Sequence, residues 1–159
     1  MSVHGGPLLL DTDTLSELSR GNATVTAQAR AYLSAFGRLT ISTITVFERL
    51  RGYRVAIRSG KPLHPQQQAF EALVQTCLVL PFDDAAADVA ATIWSRSTRR
   101  AQKNLGDLLI ASIAVARRVP LVTRNRRDFE TFIEASGVDL GLVDWSKGAR
   151  QLSAKNRRS

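Results

Sequence analysis

Short apolar runs alternate with longer stretches of helical periodicity along nearly the whole chain, and few architectures accept that order. Leu8–Leu10, Leu39–Ile44, Leu78–Leu80, Leu121–Thr123 and Val138–Val143 read as strands, mostly apolar and therefore buried. Between the first two, a T-L-S-E capping box at Thr14–Glu17 predicts a short helix closed by Gly21, and a second helix is expected over about 23–36. Val46, Phe47, Leu50, Tyr53, Arg54 and Ile57 recur at helical spacing up to the break at Gly60 and Pro62. Pro65 suits the first turn of a helix reaching about Thr76. After Pro81, Asp83 or Asp84 is placed to cap an alanine-rich helix whose later half carries Arg96, Arg99, Arg100 and Lys103. A loop at Asn104–Gly106 precedes a helix of about 107–118, and a further helix of about 128–135 stops before Gly137. Strands that alternate with helices must pair in parallel through crossovers, so the expected fold is α/β: a three-layer α/β/α domain on a mainly parallel central sheet.

A length of 159 residues suits one hydrophobic core. The expected division is a domain over 8–145, an N-terminal leader over 1–7 and a basic, flexible tail over 146–159. The longest nearly apolar stretch, Leu108–Ala116, falls far short of the roughly 20 residues that span a bilayer, so no membrane segment is expected. The first residues lack the pattern of a secretory signal, which places the expected location in the cytoplasm. Cys77 is the single cysteine; an internal disulfide and a thiolate metal cluster are both excluded, and the residue is expected in the core.

Lys and Arg number 22 against 14 acids, for a net charge of +8, which favours a polyanionic partner. Arg117, Arg118, Arg124, Arg126 and Arg127 crowd one segment, and Lys147, Arg150, Lys155, Arg157 and Arg158 follow the last acid, Asp144. Nucleic acid or an acidic protein partner fits this distribution.

Ligands of open α/β sheets bind beyond the carboxyl ends of the strands. Asp11 follows the first strand there, and Thr123, Asn125 and Asp128 follow the fourth; Glu48 and Asp107 lie near the starts of neighbouring helices. Several of these acids have simpler readings: Asp107 as a helix cap, Glu48 as the end of a capping box from Thr45, Asp128 as the cap of a helix beginning at Phe129. Asp11 does not, because an acid ending a buried strand has no helix of its own to start. Asp13 is expected to be a supporting residue or a local cap. Carboxylates brought together repel unless a cation compensates them, and an all-oxygen set without His or Cys suits Mg²⁺, with Mn²⁺ as the alternative.

Four segments in order, L-L-L-D-T-D-T-L-S-E-L (8–18), I-S-T-I-T-V-F-E-R-L-R-G (41–52), G-D-L-L-I-A-S-I-A (106–114) and L-V-T-R-N-R-R-D-F-E (121–130), resemble the signature blocks of PIN-domain ribonucleases of the VapC toxin type. The resemblance implies that Asp11 and Asp107 bind metal and that Glu48 and Asp128 complete the catalytic acids, although some relatives carry the fourth acid where Asn125 stands. It implies supporting or substrate-binding roles for Thr123 and Asn125. Arg124 and Arg126, beside the same block, are expected to hold the RNA backbone. The implied activity is Mg²⁺-dependent hydrolysis of structured RNA, transfer or ribosomal, leaving a 5′-phosphate and a 3′-hydroxyl. The implied partners are RNA, a cognate VapB-type antitoxin and a second copy in a homodimer.

Three other readings share part of this sequence. D-T-D-T after a strand also fits a haloacid dehalogenase-type phosphatase with Asp11 as nucleophile and Asp13 as acid/base, but that reading leaves 104–130 unexplained. A PIN ribonuclease that acts without an antitoxin would carry the same blocks. A PIN fold without activity is expected to have lost an acid, and all four are present.

Overall fold

The computed structural model describes residues 6–148, so the expectations for the first residues and for Arg150, Lys155, Arg157 and Arg158 lie outside the described residues. The elements run β1 (Leu9–Leu10), α1 (Thr12–Ser19), α2 (Ala23–Phe36), β2 (Thr40–Ser42), α3 (Thr43–Arg58), α4 (His64–Thr76), β3 (Leu78–Leu80), α5 (Asp84–Arg96), α6 (Arg99–Gln102), α7 (Leu105–Arg117), β4 (Leu121–Val122), α8 (Arg126–Ser136) and β5 (Leu142–Val143). A turn of 3₁₀ helix at Trp145–Lys147 follows. The strands form one sheet in the order β3-β2-β1-β4-β5, every pair parallel. No helix among the described residues is long and apolar enough to cross a membrane.

Period-two alternation divides the core. Leu9 and Leu121 face a cluster with Ile93, Ile113, Phe129 and Phe132 from α5, α7 and α8. Their neighbours Leu10 and Val122 face the opposite cluster, with Leu15, Val25, Tyr32, Ile41, Phe70 and Trp145. Because both faces are covered by helices, β1, β3, β4 and β5 are apolar at successive positions, while β2 buries Thr40 and Ser42 on either side of Ile41. Cys77 is a free thiol in the second cluster.

Several local expectations shift. The first helix begins at Thr12, not after Thr14: the Asp11 carboxylate accepts from Thr12 N at 2.8 Å, and Thr14 Oγ1 instead donates to Val122 O at 3.0 Å. Asp11 therefore does start a helix of its own. Ser42, not Thr45, caps α3 by accepting from Thr45 N at 3.1 Å, which frees Glu48 from any capping box. The start of α8 is Arg126, so Asp128 stands in its first turn rather than at its cap. The alanine-rich helix stops at Arg96; Thr98 caps a separate turn by accepting from Ala101 N, and Arg99 and Arg100 belong to that turn. The last strand is confined to two residues, Leu142 and Val143.

Candidate active site

The chain order puts the site at one place. After β1 it moves outward to β2 and β3 on one side, then returns across the sheet to β4 on the other side of β1. The carboxyl ends of β1 and β4 thus flank the point where the winding reverses, where a crevice opens. Asp11 leaves β1 and Thr123 leaves β4, and Thr123 Oγ1 donates to Asp11 Oδ2 at 2.9 Å. The ladder continues to this edge, since Asp11 N donates to Val122 O at 2.9 Å. Asp11 is 3% exposed, with each carboxylate oxygen held by one donor.

The remaining acids arrive on helices. Asp107 lies in the first turn of α7 and Asp128 in that of α8, where helix dipoles favour negative charge. Asp128 Oδ2 accepts from Asn125 Nδ2 at 2.7 Å. Glu48 projects from α3 to accept from Thr12 Oγ1 at 3.0 Å. Gly106 presses against it so closely that a Cβ there would lie 2.9 Å from Glu48 Oε2. Gly106→Ala is expected to displace that flexible carboxylate rather than the backbone. Its stability cost is offset in part by the better helix propensity of Ala, for a net change below about 1 kcal/mol. If the acidic centre is catalytic, activity falls roughly ten- to a hundredfold; parallel melting curves and nuclease assays check both halves.

Electrostatics shows which acids share the centre. Burial, then Asp13 and Asp107, hold the Asp11 carboxyl well above the usual carboxylate range, against the opposing hydrogen bonds from Thr123 and Thr12. Asp107 is pushed up to about 6 by burial, then by the charges of Glu48, Asp128 and Asp13. Asp11, Glu48 and Asp128 thus each lie within reach of the Asp107 charge. Among the described residues no group of three or more His, Cys, Asp or Glu stands at metal-coordination spacing. An uncompensated, all-oxygen set fits a hard divalent cation, because such a cation removes the repulsion. Asp11 and Asp107, the most perturbed pair, are the residues able to hold it.

A cleft of about 620 Å³ is lined by the acids Asp11, Asp13, Glu17 and Asp107 together with Thr12, Ser16, Arg20, Arg124 and Asn125, whereas Glu48 and Asp128 are not among its lining residues. Of the two arginines expected to hold substrate, Arg124 lines the cleft, paired with Glu17 at 2.6 Å. Arg126 does not: its side chain turns towards Glu130 and the carbonyl of Leu142. Asp13 belongs to the wall; its carboxylate accepts from Arg124 N at 3.3 Å. Sequence reasoning passed over Ser16, Glu17 and Arg20. The available signal was helical spacing, since 12, 16 and 20 fall on one face of α1.

The family model of the PIN domain matches residues 8–134. No curated protein matches the chain. Solved structures do resemble it. VapBC2 from Rickettsia felis, bound to a DNA fragment from its promoter, is 19% identical with a TM-score of 0.65, covering 88% of this chain and 99% of the other. DNA-bound VapBC from Salmonella typhimurium is 24% identical, also at 0.65, covering 87% and 98%. A toxin-antitoxin complex from Klebsiella pneumoniae is 24% identical at 0.56, covering 77% and 89%. With four acids gathered at the winding reversal of a five-stranded parallel sheet, and a family match that runs through every segment supplying them, this chain belongs to the PIN domain family.

Proposed function

We propose that the protein is a Mg²⁺-dependent endoribonuclease, with Mn²⁺ able to substitute, acting in the cytoplasm as the toxin of a toxin-antitoxin pair. The observation that carries this reading is the pair Asp11 and Asp107, both raised by burial and by facing carboxylates at the carboxyl edge of the sheet. The ion that relieves them, when bound, lowers the pKa of an attacking water and neutralises charge on the nonbridging phosphate oxygens. Glu48, fixed by Thr12, and Asp128, fixed by Asn125, orient the water and take up its proton. Thr123 holds Asp11 in place. Arg124 meets the backbone phosphate, contributing affinity without sequence readout. Water adds to phosphorus as its proton passes to one of these carboxylates, and the bond to the 3′-oxygen breaks; the leaving oxygen takes a proton from solvent water, giving a 5′-phosphate and a 3′-hydroxyl.

The likeness to VapBC and toxin-antitoxin complexes supports a VapB-type antitoxin partner; a homodimeric toxin is part of the same proposal. The phosphatase alternative, with Asp11 as nucleophile, loses ground because the family match includes the segment 104–130 that it leaves unused. The test is brief expression of this chain alone and together with the adjacent small open reading frame, with sequencing of RNA ends. Growth arrest and new 5′-phosphate ends at few sites, both suppressed by a copurifying neighbour, are expected. Harmless solitary expression with intact RNA defeats the toxin reading. Cleavage that no neighbour suppresses favours a PIN ribonuclease working without an antitoxin.

A further inference from the structure

The cleft changes character along α1. Its inner end is acidic, with Asp11 and Asp13, and its outer end carries two guanidinium groups aimed at one oxygen: Arg20 Nη1 and Arg124 Nη1 each stand 2.6 Å from Glu17 Oε1. Asn22 Nδ2 donates to the other oxygen of the same carboxylate at 3.2 Å. Three donors, Arg20 and Asn22 from the turn after α1 and Arg124 from the loop after β4, thus converge on one anionic group in the wall of the cleft. Glu17 is the less accessible member, its side chain 14% exposed against 69% for Arg20 and 48% for Arg124.

That geometry is the one a phosphate oxygen meets in a two-arginine clamp. The cleft also requires such a clamp, because an acidic centre repels a polyanion until cations offset it. From Thr12, beside the acidic centre, to Glu17, whose carboxylate marks the clamp, is five residues of helix, about 7.5 Å at 1.5 Å per residue. This is far enough for a phosphate of the same strand that is not the one being cut.

We propose that Arg20 and Arg124 form a docking clamp for a backbone phosphate flanking the scissile bond of RNA, and that Glu17 occupies the phosphate's place in the free protein. The inference rests on the ribonuclease reading and adds to it a substrate contact, Arg20, and a carboxylate that substrate displaces. Exposed ion pairs are worth little in water, so the exchange of Glu17 for phosphate is nearly balanced and a strand with other contacts tips it. Glu17 in this scheme lowers affinity while keeping both arginines preorganised.

The experiment uses the full chain carrying Asp107→Asn to prevent cleavage and a fluorescent single-stranded RNA that the unmodified protein cuts, titrated at several salt concentrations. Arg20→Ala and Arg124→Ala are each expected to weaken binding roughly five- to tenfold and to reduce the slope of log affinity against log salt by about 0.7, the value for one lost phosphate contact on a single strand. Glu17→Gln is expected to tighten binding roughly threefold, because a competing charge is gone while an acceptor remains. In the cleavage-competent chain the arginine variants should raise KM with little change in kcat, and Arg20→Lys should recover the salt slope. Unchanged affinity and slope in both alanine variants, with melting curves intact, overturns the clamp. So does a loss of binding to an acidic antitoxin peptide with RNA binding untouched. Absence of RNA cleavage by the unmodified chain is a different result and strikes the ribonuclease reading itself.

Discussion

Asp107→Asn is expected to abolish RNA cleavage and, in the metal-free protein at neutral pH, to raise stability. Each effect has the same origin. Asp107 sits half-buried beside Glu48, Asp128 and Asp13, and its carboxyl is pushed up to about 6 from an ordinary 3.8. Below about pH 4 folded and unfolded chains both carry the proton, so Asp107 contributes nothing to the pH dependence. Between about 4 and 6 the folded state keeps a proton the unfolded state has lost, and stability falls as pH rises through this window. Above it the deficit persists. That displacement corresponds to roughly 3 kcal/mol, reduced to about 1–2 kcal/mol because water reaches part of this carboxyl. Asparagine removes the deficit, so variant and parent should differ most at neutral pH and converge in acid. Activity moves oppositely, because a metal centre supplies several kcal/mol of transition-state stabilisation and its loss lowers cleavage roughly a thousandfold or more. Asp11→Asn is expected to give the same loss, while retaining a side-chain oxygen to accept from Thr12 N or Thr123 Oγ1. Chemical denaturation in chelator across pH 4–8, with cleavage assays in Mg²⁺, measures both. Full cleavage by either variant at limiting Mg²⁺ removes the assigned roles.

Cleavage is also expected to stop completely in EDTA and to return with Mg²⁺ or Mn²⁺ but not with Ca²⁺. The site supplies carboxylate oxygens and no His or Cys, which suits all three ions as ligands. Ca²⁺ takes longer bonds and more ligands, so it can neutralise Asp11 and Asp107 while misplacing water relative to phosphorus. It should therefore stabilise the fold in melting experiments and compete with Mg²⁺ in the assay. Undiminished cleavage in EDTA would end the metal-dependent mechanism.

Some of the fold was open to inspection in the chain because it depends on local periodicity. The helix over Ala23–Phe36 and the strand Leu78–Leu80 have the bounds expected of them, set by Asn22 and Gly37 at the ends of the helix and by Pro81 after the strand. Caps were harder. T-L-S-E at Thr14–Glu17 has the form of a capping box, yet Thr14 is drawn to the carbonyl of Val122, 108 residues away, and Asp11 takes the capping role instead. Local signals compete with such long-range partners, and burial at the sheet edge decides the outcome.

The alternation of strands and helices around a parallel sheet can be read from the residues, as can the carboxylates at the ends of strands or the starts of helices. Packing in three dimensions sets the rest: Asp13 shares the charge of Asp11 and Asp107, Arg126 turns away towards Glu130, and Arg20 and Arg124 meet on Glu17. The reason is distance. Periodicity assigns a residue to a face of its own element, whereas charge repulsion and ion pairing fall off over a few ångströms between elements far apart in the chain. Thr123 and Asp11 are separated by 112 positions and joined by one hydrogen bond, and the packing of β4 beside β1 brings them together.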